Sequence, residues 1–116
     1  MTSGDVRPEQ RLCLAWLLLL LDAGIEHGYL LGQQLQAQAG LNVELPVVYR
    51  KLHKLEQHGL ARSRWEGSQS GPRRHSYQLT EEGHGRLTAI AEAIALVRDA
   101  HDTFVHAYER HATQER

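Results

Sequence analysis

The sequence predicts a mainly α fold with one small β-hairpin, on three observations. Apolar residues recur at helical spacing as far as His58, interrupted at Gly24 and Gly40. The period then shortens to two on either side of the turn-forming stretch Gly67-Ser68-Gln69-Ser70-Gly71-Pro72-Arg73. Beyond it, Leu87, Ile90, Ile94, Val97, His101, Phe104 and Tyr108 follow at alternating spacings of 3 and 4, a coiled-coil seam along one long helix.

The first helix starts at Pro8, which suits a first helical turn, with Asp5 or a neighbour as cap, and stops near Gly24 after Asp22. It is apolar nearly all round, so it belongs inside the fold or a dimer, with Cys13 and Trp16 packed there. Its run from Leu12 to Leu21 is about half the length that spans a bilayer. Asp5, Arg7, Glu9 and Arg11 cancel in charge before the run and Asp22 closes it, unlike a secretory signal. A cytoplasmic protein with no membrane partner is expected.

A second helix, from about His27 to Ala39, carries Tyr29, Leu30, Leu31 and Leu35 and stops at Gly40. After the loop from Leu41 to Leu45, Pro46 opens a third helix, which Gly59 ends. Val48, Leu52 and Leu55 form its inner face, leaving Arg50, Lys51, His53 and Lys54 off the stripe with Tyr49 beside them. Leu60 to Glu66 and Arg74 to Leu79 alternate as two strands, with Trp65 expected in the core beneath them. Thr80 caps the last helix, Glu81 and Glu82 complement its dipole, and it runs to near Ala112. Its seam packs either on the first helix or on a second copy. The second copy is preferred, because a helix this long outreaches so small a core. The organisation expected is residues 1–79 as a winged helix-turn-helix DNA-binding unit and residues 80–116 as a C-terminal dimerisation helix, forming one compact unit.

The charge pattern agrees with that organisation. The 116 residues are 41% hydrophobic and 23% charged, the balance of a globular protein. One cysteine excludes an internal disulfide and a Cys-cluster zinc module. Net charge is −1 overall, but residues 46–79 hold seven Lys or Arg against Glu56 and Glu66. A local basic patch attracts polyanions whatever the global sum. The third helix can enter a major groove, where Arg and Lys reach guanine edges and phosphates. Arg73, Arg74 and His75 at the hairpin tip can reach the flanking backbone, and Arg62 and Arg64 add charge near that surface.

These residues carry a resemblance. The chain resembles the PadR family of bacterial transcriptional regulators, in its short form with one C-terminal helix, from about Leu17 to Leu87. His27-Gly28-Tyr29 is similar to the opening of the family's second helix, and Val48 to Leu60 (VYRKLHKLEQHGL) to its recognition helix and following turn. Gly71 to Gly83 (GPRRHSYQLTEEG) is similar to its wing and the start of its dimerisation helix, and is the most specific of the three. The resemblance implies a homodimeric regulator, usually a repressor, often released by a small aromatic or drug-like ligand. It implies that Tyr49 and the basic residues of the third helix contact double-stranded DNA, with Arg73 and Arg74 serving the wing. Two departures stand out. Glu44-Leu45-Pro46-Val47 replaces a stretch usually of Ser/Pro/Gly/Thr type, and Ile94 occupies the place where some short members have a ligand-stacking tryptophan.

The two-fold axis of such a dimer demands a palindromic operator. Its interface is expected to use Leu12, Trp16, Leu87, Ile90, Ile94, Val97, His101, Phe104 and Tyr108. An effector would sit between subunits against Trp16, Ile90 and Ile94. No metal, cofactor or catalytic residue is expected. His101, His106 and His111 are spaced i, i+5 and i+10 and share no helical face, Cys13 sits in an apolar helix, and no phosphate-binding loop is present. The alternative is a metal-sensing or protein-interaction dimer on the same fold without operator binding, motivated by the altered stretch before Tyr49.

Overall fold

The computed structural model describes residues 8–67 and 74–115. Its elements are α1 (Pro8–Asp22), α2 (Gly28–Ala39), α3 (Leu45–Gln57), β1 (Ala61–Glu66), β2 (Arg74–Leu79) and α4 (Glu81–Gln114). The expected cap at Asp5 and the hairpin tip with Arg73 lie outside the described residues.

α1 supplies the centre of the core. Leu17, Leu18, Leu20 and Leu21 are buried against Leu31 and Leu35 of α2 and Val48, Leu52 and Leu55 of α3. The predicted inner face of α3 is therefore the buried one. α1 is apolar nearly all round, yet only one side meets this core; Leu12 and Leu19 remain exposed on the other. Gly40 and Gly59 adopt the left-handed conformation that stops the preceding helices.

β1 and β2 pair antiparallel, from Ala61 opposite Leu79 to Glu66 opposite Arg74. The hairpin is tied down at its root. The Tyr77 amide donates to the Glu26 carbonyl at 2.8 Å, His27 bridges to Ser76, and Gln78 Nε2 donates to the Glu26 carboxylate at 3.2 Å. Thr80 joins wing to helix: its amide donates to the Leu60 carbonyl at 3.0 Å, its hydroxyl to the Gly59 carbonyl at 2.7 Å, and it accepts from the Gly83 amide at 3.0 Å. Gly83 is buried where a Cβ would run into the Leu60 carbonyl oxygen and the Leu79 side chain. A glycine there lets the first turn of α4 lie directly on the base of the wing.

α4 is 34 residues long, about 51 Å at the helical rise. Leu87 and Ile90 pack on the core, and the helix then leaves the body of the fold, giving the molecule a long dimension of 72 Å. Trp65 differs from expectation. It is 56% exposed, stacked on His75 at 4.4 Å, and not in the core. Ala61, Ser76 and Tyr77 are the buried residues of the two strands, and Trp65, next to the outermost pair, projects past the helices that cover them.

Candidate nucleic-acid interface

With Val48, Leu52 and Leu55 pointing inward, helical spacing turns Arg50, His53 and Gln57 outward. All three are exposed, as is Lys54. Gln57 was not among the residues singled out from the sequence, although its place seven residues after Arg50 puts it on the same outer row. Lys51 is turned to the side. It is half-buried and faces α1, where its ammonium offsets part of the rise that burial gives the Cys13 thiol.

Tyr49 flanks α3 on the opposite side and lies across Gly28. A Cβ at Gly28 would come within 2.5 Å of the Tyr49 ring, so the His27-Gly28-Tyr29 motif has a packing reason. Beside this pair, His27, Tyr29, Leu30, Tyr49, Trp65, Arg74, His75 and Tyr77 line an open cleft of about 710 Å³ between the start of α2, the start of α3 and the wing. Tyr29 and Trp65 thus join Tyr49, Arg74 and His75 at one surface, which the sequence reading did not anticipate.

The wing's basic residues divide between its two faces. Alternation and register put Trp65, His75 and Tyr77 on the face towards α3, and Arg62, Arg64 and Arg74 on the other. Arg74 is exposed and borders the cleft at its rim. Arg64 is partly engaged by Glu66 at 3.3 Å, and Glu66 also meets His27 Nε2 at 3.2 Å. The hydrogen bond with His27, and after it Arg64, holds the Glu66 carboxyl below its ordinary value against the opposing effect of desolvation.

On the far side of the fold, Leu12, Trp16 and Leu19 of α1 face Leu87, Ile90 and Ile94 of α4 across an open groove of about 550 Å³. The seam continues outward with Val97 54%, Phe104 71% and Tyr108 61% exposed. His101 donates from Nδ1 to the Val97 carbonyl of its own helix at 2.9 Å. Among the described residues, no three His, Cys, Asp or Glu side chains gather as metal ligands, and no helix is long and apolar enough to cross a membrane.

The sequence model of the Transcriptional regulator PadR-like family matches residues 17–89. No curated protein sequence matches the chain. Several solved structures share its fold. A PadR family transcriptional regulator from Eggerthella lenta aligns with a TM-score of 0.72 at 24% identity, covering 84% of each chain. One from Clostridium difficile aligns at 0.72 and 22%, covering 81% of this chain and 98% of that one. A transcriptional regulator from Clostridium thermocellum aligns at 0.72 and 21%, covering 87% and 99%.

Proposed function

The chain belongs to the PadR-like family of transcriptional regulators, DNA-binding proteins on a winged helix-turn-helix, and from that membership we propose that it is a homodimeric repressor of a palindromic operator. The observation that carries this reading is the polarity of α3. One side is fully buried, while the other offers Arg50, His53 and Lys54 to solvent beside the Tyr49 cleft. Such a helix suits a major groove, where guanidinium and imidazole donors meet base edges and phosphates.

In this reading the DNA contacts come from Arg50, His53 and Lys54 on the exposed side of α3, from Tyr49 and Lys51 on its flanks, and from Arg62, Arg64, Arg73, Arg74 and His75 of the wing. Residues 1–79 form the DNA-binding unit and residues 80–116 the dimerisation helix. A second copy covers the α4 seam together with Leu12 and Trp16, because a row of apolar side chains this exposed is unstable alone in water. The groove against Trp16, Ile90 and Ile94 then becomes an enclosed space between subunits, suited to a small aromatic or drug-like effector. Binding there releases DNA only through a difference in affinity between the two spacings of the α3 helices.

Fluorescence anisotropy tests the proposal. The duplex upstream of the protein's own gene is expected to bind about a hundredfold or more tighter than a scrambled duplex, with affinity falling steeply with salt. Equal, weak binding to every genomic fragment would remove operator recognition.

A further inference from the structure

Lys51, Lys54 and His58 of α3 and Arg86 of α4 rim a groove of about 280 Å³, walled by Leu14 and Leu17 of α1, Leu55 of α3 and Leu60. Leu17, Leu55 and Leu60 are buried and form its floor, while Leu14 opens to solvent. No acidic side chain lines it. Among the described residues, none of the four basic side chains has a carboxylate or hydrogen-bond partner. Three positive charges and a histidine thus border one apolar floor with no acidic residue in the lining, and such a rim attracts an anion. The half-buried Lys51, inclined towards α1, carries the charge down towards the leucines.

The lining also selects the body of the anion. It holds no aromatic ring, unlike the cleft beside the wing, so it offers flexible aliphatic contact and no stacking platform. At about 30 Å³ per water-sized group, the groove takes roughly nine heavy atoms. We infer that this groove between α1, α3 and α4 binds a medium-chain aliphatic carboxylate, with its tail on the leucines and its carboxylate held by Arg86 and Lys51. Arg86 supplies a planar fork that meets both carboxylate oxygens. The site is separate from the α1–α4 groove assigned to the dimer. Its regulatory consequence rests on the DNA-binding reading: Lys51 and Lys54 stand among the proposed DNA contacts, so the bound acid withdraws their charge from phosphate.

Calorimetric titration of octanoate into the full chain without DNA tests the site independently of any operator. One saturable site per chain is expected. Affinity should fall about tenfold or more in Arg86→Met, and by as much for octan-1-ol, which keeps the tail and lacks the charge. Arg86 is exposed, so its replacement spares the core, and a thermal melt of the variant verifies this. Leu14→Phe, which narrows the groove from the tail side, should also weaken octanoate. Absence of saturable binding, or equal binding by octan-1-ol and by Arg86→Met, overturns the inference. Octanoate binding in a protein with no affinity for duplex DNA would remove the DNA reading and leave the site standing. Duplex affinity unchanged at saturating octanoate would overturn the regulatory consequence.

Discussion

Gly28 and Tyr49 show how one residue identity serves another. The Tyr49 ring occupies the space where a Cβ on residue 28 would sit, so Gly28→Ala is expected to cost about 1–3 kcal/mol by overpacking. The same change in a Tyr49→Ala background should cost distinctly less. Urea denaturation of the four proteins of that cycle checks the coupling. Cys13 is buried, and burial raises its pKa, with Lys51 only partly opposing. The neutral thiol is therefore favoured in the folded state, and that contribution is lost as pH rises through the raised value. A thiol reagent at neutral pH should modify Cys13 only as fast as the protein opens, and rapid labelling of the native protein would contradict this burial. Glu66 has the opposite sign. Its carboxyl is held low by His27, so the clasp between α2 and wing is present at neutral pH and is lost as pH falls through the lowered value. Wing amide resonances should move on acidification, and Glu66→Gln should flatten that movement.

α3 was legible from the sequence because one periodic row decides which side of a helix is buried, and Val48, Leu52 and Leu55 are all in the core. The spacing did not reveal that Lys51 inclines to α1, since a flank residue's direction depends on the neighbouring helix. The wing was less legible. Alternation gave its two strands but not their register, and it does not announce how far the cover of a two-stranded sheet extends; Trp65 is exposed. The reason for Gly83 is likewise invisible in one dimension, because the Leu60 carbonyl it accommodates is 23 residues earlier in the chain. At the level of α3, Arg50→Ala should weaken DNA binding and, if it touches phosphate, reduce the salt slope by about one. For α4, Phe104→Asp with Tyr108→Asp should yield monomers in sedimentation velocity while the far-ultraviolet spectrum of the core persists. Both side chains are exposed in the single chain, so a collapse of the core instead would argue against an intermolecular seam.

At the scale of the molecule, a compact three-helix core with a hairpin carries a helix longer than the core can cover. The basic middle third of the sequence folds into α3 and the wing, while the flanking thirds are each net acidic. This segregation gives an overall near-neutral chain a basic region around α3 and the wing, and in the proposed reading that region meets DNA while the apolar seam of α4 meets a second copy. Two copies joined along α4 would present two α3 helices with two-fold symmetry, which fixes the form of the DNA they can read. Selection of bound fragments from a sheared genomic library by the purified protein tests this most directly. The structure and family predict enrichment of one inverted repeat with half-sites about one helical turn apart. Recovery of fragments with no shared motif, in proportion to their length alone, would contradict it.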